Sequence, residues 1–104
     1  MGRRKTSEQT EGDVAVAERT STAKQYRVIM LNDDYTPMDF VVSVLEGIFK
    51  LSPAEATQVM LRVHRQGKAL CGVFSKQIAE AKIALTHQKA KAAGHPLKCI
   101  MEEA

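Results

Sequence analysis

The apolar residues of this chain are unevenly distributed, and their distribution limits how much of the chain can fold. They begin in earnest at Tyr26, whereas residues 1–24 hold only one Met, two Val and a few Ala among charged and hydroxyl-bearing residues. A segment this polar buries too little surface to offset the entropy of ordering it. We therefore predict a flexible N-terminal extension over residues 1–24 and one core domain over residues 25–104.

The size of the core domain and its cysteines indicate the kind of protein. A domain of this length can fold without disulfides or a metal ion. Cys71 and Cys99 lie 28 residues apart in apolar runs and form no Cys-x-x-Cys pair, so we expect packed thiols in a reducing compartment, the cytoplasm. The chain contains neither an apolar run of roughly 20 residues nor a signal-peptide pattern. We predict no cofactor and no membrane partner.

The charges argue against a nucleic-acid partner. The net charge of +3 divides into +1 for the segment through Gln25 and +2 for the remainder, and neither part forms a basic patch. Proteins that bind nucleic acids usually concentrate Lys and Arg on one face or one helix. We therefore do not expect binding to nucleic acid.

The first part of the core domain predicts a strand followed by a helix. Residues 25–31 are rich in β-branched and aromatic types and stop at Asn32, so they predict a strand that ends in a turn. Thr36 and Pro37 then predict a capping hydroxyl and a first helical residue, with a helix to about Lys50. Its buried stripe is predicted at helical spacing: Phe40, Val41, Val44, Leu45 and Ile48.

The second half repeats this pattern of start and stop signals. Ser52-Pro53-Ala54-Glu55 predicts a capping box, with a helix to Gln66 that Gly67 ends. Residues 68–74 predict a strand, and Ser75 is predicted to cap a third helix to about Ala92. That helix is predicted to pack through Ile78, Ala79, Lys82, Ile83 and Thr86, before a final strand over residues 97–101.

The predicted order is β-α-α-β-α-β. This order suits an α+β fold in which a three-stranded, mostly antiparallel sheet packs against three helices on one face.

Polar side chains concentrate where the first predicted strand ends, at Asn32, Asp33 and Asp34. One interpretation is a turn closed by side-chain to backbone hydrogen bonds. A calcium loop needs acidic or amide ligands at alternate positions, which Thr36 and Met38 do not supply. A third interpretation is a set of acceptors that recognise a cation.

His64 lies at the edge of the apolar face of the second predicted helix, near Met60 and Val63. Taken alone, it could be a helix-edge histidine bonded to a loop. Met38 and Val41 share one face of the first helix, so the two faces could line a pocket with adaptable methionine walls. The same stripes could equally be ordinary core.

Four motifs in order resemble the bacterial ClpS adaptor family. They are Leu-Asn-Asp-Asp-Tyr-Thr-Pro-Met-Asp-Phe-Val over 31–41, Met-Leu-Arg-Val-His-Arg-Gln-Gly over 60–67, Cys-Gly-Val-Phe over 71–74 and His-Pro-Leu over 95–97. The resemblance covers about residues 25–104 and does not extend to the N-terminal segment.

The resemblance implies an N-end-rule adaptor, which binds proteins that begin with Leu, Phe, Tyr or Trp and delivers them to the ClpA unfoldase, through that unfoldase's N-terminal domain, for degradation by ClpAP. It assigns the α-amino group to Asn32, Asp33, Asp34 and His64. It assigns the side-chain pocket to Thr36, Met38, Val41, Met60, Val63 and Leu97. For the unfoldase contact, Lys82 matches the family, whereas Gln77 stands where the family leads us to expect a glutamate.

Two other functions are compatible with parts of the sequence. An enzyme could pair Cys71 with His64 or His87, but nothing near Cys71 in the sequence would lower the pKa of its thiol. A general protein-interaction module without specificity for N-terminal residues is the stronger alternative. We therefore expect a non-enzymatic adaptor.

Overall fold

The computed structural model describes residues 23–104, which form three strands and three helices. In chain order these are β1 (Gln25–Leu31), α1 (Met38–Gly47), α2 (Pro53–Gln66), β2 (Lys68–Ser75), α3 (Lys76–Ala92) and β3 (Lys98–Glu103). The predicted order β-α-α-β-α-β is confirmed. Residues 1–22, nearly all of the predicted extension, lie outside the described residues.

The strands form one antiparallel sheet with β1 at its centre, between β2 and β3. Side chains alternate along β1: Val28 and Met30 are fully buried in the core with the helices, whereas Ile29 lies between Leu70 and Ile100 of the neighbouring strands. Leu70 and Ile100 are exposed, so the described helices cover one face of the sheet and leave the other open. The predicted α+β class is confirmed.

The pairing of β1 with β2 is interrupted by a bulge near Gly72. The register shifts between Val28 and Ile29, so Cys71 has no partner on β1. A Cβ atom on Gly72 would stand 2.5 Å from Cζ of Phe74, because the Phe74 ring lies over this glycine. A side chain at this position would displace the Phe74 ring, which explains the place of a glycine within a strand.

The signals that predicted α2 are confirmed at both ends. The Ser52 hydroxyl accepts a hydrogen bond from the Glu55 N–H at 3.1 Å, and Glu55 Oε1 accepts one from the Ser52 N–H at 3.0 Å. These bonds form a capping box and hold the pKa of the Glu55 carboxyl below its ordinary value. Gly67 ends the helix with φ of 88°, in the left-handed region that glycine adopts readily.

The prediction for the ends of α1 was wrong in two details. Pro37, not Thr36, is the capping residue, and no side chain caps the helix. The Thr36 hydroxyl donates instead to Asp33 Oδ2 at 2.8 Å, within the loop that precedes the helix. The helix ends at Gly47 rather than Lys50, and Lys50 has φ of 60°, which is incompatible with a helix. The predicted stripe is otherwise buried or half-buried.

In α3 the predicted span is confirmed, but two predicted contacts are absent. Ser75 stands at the start of the helix without a side-chain capping bond. Ile78 is 49% exposed rather than buried, because Ala79, Thr86 and Ala90 form the face that packs on the sheet. The final strand begins at Lys98, one residue later than predicted.

The core lies between the sheet and the helices, and both cysteines belong to it. Cys71 and Cys99 are buried free thiols, as predicted. The hydrogen bond with Cys71, together with burial, raises the pKa of the Cys99 thiol far above its ordinary value. Cys99 is therefore an inert, neutral thiol.

Candidate functional site

A cavity of about 340 Å³ opens between the loop after β1, the start of α1 and the last turns of α2. It brings together nine of the ten residues predicted to bind an amine or to form the side-chain pocket: Asn32, Asp33, Asp34, Thr36, Met38, Val41, Met60, Val63 and His64. Tyr35 and Pro37 also line it and were not predicted, although they belong to the same segment of sequence. A cavity of this volume is large enough for one amino-acid side chain and its amine.

A backbone hydrogen bond joins the two segments that form this cavity. The Asn32 N–H donates to the Gly67 carbonyl oxygen at 2.9 Å. The Gly67 N–H in turn donates to the Val63 carbonyl oxygen at 2.9 Å, which closes the last turn of α2. The end of β1 is therefore fastened to the end of α2, and Asn32 and His64 come to the same cavity from opposite sides.

Asp33 shapes the loop that follows β1. Its Oδ1 accepts from the N–H groups of Tyr35 at 2.8 Å and Thr36 at 2.7 Å, and its Oδ2 accepts from the Thr36 hydroxyl at 2.8 Å. Partial burial raises the pKa of the Asp33 carboxyl, but these hydrogen bonds and the nearby His95 outweigh it and hold the pKa below its ordinary value. Asp33 therefore stays ionised and fixes the position of Thr36.

Three other polar groups line the cavity without a partner in the described part of the chain. Among residues 23–104, no group forms a hydrogen bond with the side chains of Asn32, Asp34 or His64. All three residues are exposed, so they can reach a ligand. An amide oxygen, a carboxylate and a neutral imidazole nitrogen can each accept a hydrogen bond from a cation.

Apolar side chains form the remaining wall of the cavity. Val41 and Val63 are buried, whereas Met60 is half-buried and Met38 is 45% exposed. The valines therefore form fixed walls, and the unbranched methionines can adjust to an occupant. Leu97 is 3% exposed, belongs to the core and is not among the residues that line the cavity. Its role in the side-chain pocket stays a prediction.

The connection between α3 and β3 packs against the start of α1, which forms one side of the cavity. The rings of His95 and Phe40 meet edge to face with their centroids 4.6 Å apart. The His95 N–H donates to the Ala90 carbonyl oxygen at 2.8 Å, which fixes this connection to the end of α3. Because Phe40 lies in the first turn of α1, the start of that helix is anchored to the C-terminal part of the domain.

The two residues predicted to contact an unfoldase do not share one face of α3. Gln77 is exposed in the first turn. Lys82 is half-buried, and its Nζ donates to the Ile48 carbonyl oxygen at 2.7 Å and lies 5.2 Å from the centre of the Phe74 ring. The Lys82 ammonium therefore satisfies a carbonyl group at the end of α1, and its role in a partner contact stays a prediction.

The positions of Cys71, His64 and His87 do not favour an enzyme that uses Cys71 as a nucleophile. Cys71 is buried and does not line the cavity, whereas His64 does. Nε2 of His87, the other candidate base, accepts a hydrogen bond from the Cys99 N–H at 3.0 Å. Neither histidine therefore stands as a free base beside an accessible thiol.

Residues 23–104 contain neither a metal-binding cluster nor a membrane-spanning helix. Within this range, no group of three or more His, Cys, Asp or Glu side chains is arranged to hold a metal ion. No helix in the same range has the length and apolar content to cross a bilayer.

Comparison with known proteins identifies relatives along the whole chain. The family described as "ATP-dependent Clp protease adaptor protein ClpS" matches residues 21–100. An ATP-dependent Clp protease adapter protein ClpS of Oleidesulfovibrio alaskensis is 46% identical over 103 residues, which cover 99% of both chains. The ClpS of Cupriavidus metallidurans is 53% identical over 79 residues, which cover 76% of this chain and 73% of the relative.

A solved structure shares the fold as well as the sequence pattern. ClpS2 of Agrobacterium tumefaciens, whose structure was solved bound to L-phenylalaninamide, superposes with a TM-score of 0.76 at 41% identity. The match covers 78% of this chain and 98% of that protein. The family match, the identities over nearly full-length relatives and the common fold agree, and the chain belongs to the ClpS family of ATP-dependent Clp protease adaptor proteins.

Proposed function

We propose that this protein is a non-enzymatic adaptor that binds proteins with N-terminal Leu, Phe, Tyr or Trp and a free α-amino group, and delivers them to a ClpA unfoldase for degradation by ClpAP. The observation that carries the proposal is one cavity that joins unpartnered acceptors to an apolar wall. The 41% identical Agrobacterium ClpS2, bound to L-phenylalaninamide, supports it. That ligand has a free α-amino group and the side chain of an N-terminal Phe.

The acceptors suit an α-amino group. This group is a cation near neutral pH and offers three N–H donors. The Asn32 amide oxygen, the Asp34 carboxylate and a neutral nitrogen of His64 supply three acceptors, while Asp33 keeps the loop in place. Each charge-assisted hydrogen bond contributes roughly 1.5–3 kcal/mol. Acetylation removes the positive charge and two donors, and should therefore abolish most of this contribution.

The apolar wall suits the side chain that follows the amine. Burying a Leu or Phe side chain contributes roughly 1.5–3 kcal/mol, and association costs reduce the total to an affinity on the micromolar scale. A β-branched Ile or Val would press a methyl group against the rim, where rotation about χ1 is most restricted. We therefore expect Leu and Phe peptides to bind and Ile peptides to bind far less.

One titration tests the amine specificity. A fluorescent peptide beginning with Leu and its N-acetylated twin are titrated with the full chain, and binding is followed by anisotropy. We expect the free peptide to bind and the acetylated one to lose most of its affinity. Asn32→Ala should weaken binding of the free peptide, whereas Gln88→Ala, on an exposed part of α3, should not. Equal binding of both peptides would instead favour a general protein-interaction module.

Delivery to the unfoldase is tested separately with ClpA, ClpP and a reporter that begins with Phe. We expect the adaptor to accelerate degradation of this reporter but not of one that begins with Ile. Gln77→Glu restores the acid that the family leads us to expect, and should strengthen binding to the N-terminal domain of ClpA without changing peptide affinity. Membership of a family of Clp protease adaptors is consistent with a cytoplasmic location.

A further inference from the structure

A second groove, of about 300 Å³, lies between the open face of the sheet and the outer side of α2. Leu70, which is 43% exposed, and Ile29, which is 8% exposed, supply its apolar part, and positive charge comes from Arg27, Arg62 and Lys68. No acidic residue lines it. The groove therefore combines an apolar floor with cations on its rim.

Most of this charge is available to a ligand. Among residues 23–104, neither Arg62 nor Lys68 forms an ion pair, whereas Arg27 pairs with Glu102 at 3.2 Å. An adjoining groove, lined by Arg62 and Arg65, adds a further cation and also contains no acid. An occupant of the first groove should therefore be acidic and carry small apolar side chains.

The chain itself contains a segment of this composition. Residues 8–18 read Glu-Gln-Thr-Glu-Gly-Asp-Val-Ala-Val-Ala-Glu, with four acidic residues and no basic one. Val14 and Val16 alternate with alanines, so both valines would face the same way in an extended conformation. The basic residues that flank this segment, Lys5 before it and Arg19 directly after it, lie outside it.

The segment is also close enough in sequence to reach the groove. Glu18 precedes the start of β1 at Gln25 by seven residues, a connection that spans up to about 24 Å when extended. The seven residues of β1 cover about 20 Å along the sheet. Residues 8–18 can therefore fold back over any part of the open face, including Ile29 and Leu70.

We propose that residues 8–18 bind this groove within the same chain, with Val14 and Val16 against Ile29 and Leu70 and the acidic side chains beside Arg62 and Lys68. The interaction is electrostatic at the rim, so it weakens as salt rises. It does not obstruct the cavity, because Arg62 lies about 160° around α2 from His64. The proposal concerns a surface distinct from the peptide site and does not depend on the proposed function.

The proposal is tested by paramagnetic relaxation in the full chain. Ala15→Cys supplies a thiol for a nitroxide label. The native cysteines are buried and should not react, and the unsubstituted chain, treated in the same way, checks this. We expect selective loss of the backbone amide signals of Lys68 and Leu70, while those of Gln88 and Ala92 at the end of α3 persist. Raising the salt concentration should restore the lost signals.

Charge reversal provides the matched control. Arg62→Glu with Lys68→Glu should restore the signals of the groove, whereas Lys89→Glu with Lys91→Glu, an equal change of charge on α3, should leave the losses in place. Signal loss spread evenly over the domain, or unchanged by reversal at the groove, would overturn the proposal. A second sample mixes spin-labelled chains without isotope enrichment with isotope-enriched chains that carry no spin label. Signal loss in this sample would assign the groove to a second copy of the chain and would also overturn the proposal.

Discussion

The Asp33 carboxylate holds Thr36 through both oxygens, accepting from its N–H at 2.7 Å and from its hydroxyl at 2.8 Å. Asp33→Ala should therefore lower both peptide affinity and the free energy of unfolding, because a hydrogen bond to a charged group contributes about 1.5–3 kcal/mol. Thr36→Val removes the hydroxyl alone and should have a smaller effect. Urea unfolding and anisotropy measure the two quantities. Equal losses in the two variants would show that the backbone bonds contribute nothing.

The same carboxylate should contribute to the stability of the domain in acid. Because the pKa of Asp33 is lower in the folded chain than its ordinary value of 3.8, the unfolded state binds its proton first as pH falls. The stabilisation is complete above the ordinary value and is lost as pH falls through the folded one. Asp33→Asn should flatten this part of a plot of unfolding free energy against pH. An unchanged slope below about pH 4 would contradict the role assigned to these hydrogen bonds.

Met38 should determine which N-terminal side chains of a peptide fit the cavity. Met38→Ala removes a wall at the mouth of the cavity, and we expect affinity for an Ile peptide to rise by about tenfold, or about 1.4 kcal/mol, while affinity for a Leu peptide falls. Met101→Ala is the control, because Met101 packs against the core outside the cavity. The ratio of Leu to Ile affinity should be unchanged in the control. A ratio that is also unchanged in Met38→Ala would place discrimination elsewhere.

His64 should supply an acceptor for the α-amino group. His64→Ala removes that acceptor and should lower affinity for a Leu peptide, whereas His64→Gln retains an acceptor and should lower it less. Anisotropy with the same peptide measures both affinities. Equal losses in the two variants would show that His64 only packs.

Substitutions at Gly72 and Phe74 should have strongly coupled effects on the free energy of unfolding. Gly72→Ala introduces a Cβ 2.5 Å from Phe74 Cζ, so the ring must move away from its contact with Lys82, and we expect a loss of about 1–3 kcal/mol in unfolding free energy. In a Phe74→Leu background the same change should matter much less, which a double-mutant cycle measures. Gly47→Ala, in α1, meets no atom within 4 Å and serves as the steric control, which should lose no stability. Additive effects of the Gly72 and Phe74 changes would refute the coupling.

Local signals in the sequence predicted most of the fold. The capping box at Ser52 and the glycine at position 67 bounded α2 correctly, because each satisfies helix-end groups within a few residues. The pattern of Asn32, Asp33, Asp34 and His64 also predicted the residues that meet at one cavity. The nature of the ligand came from the family resemblance, since acceptors over an apolar wall do not specify an amine.

The incorrect predictions share a physical cause. Thr36 had two possible roles, as a helix cap and as a partner of Asp33, and only the folded loop shows that its hydroxyl donates to the Asp33 carboxylate. Ile78 matched the spacing of a buried stripe, but the packing face of α3 is made of smaller residues. One further contact was not predicted at all: the hydrogen bond from Lys82 to Ile48 joins residues that are 34 positions apart, and no local pattern indicates it.

The hydrogen bond between Asn32 N–H and the Gly67 carbonyl oxygen has a consequence for ligand binding. Because it joins backbone atoms that continue directly into the sheet and α2, separating the two segments would break this bond and disturb both elements. The site is preorganised, and a ligand spends little of its binding free energy on ordering the protein. This link contains no side chain, so most substitutions at position 32 or 67 would leave the connecting bond available. A change at Asn32 would alter what the cavity recognises, and a change at Gly67 would strain the turn.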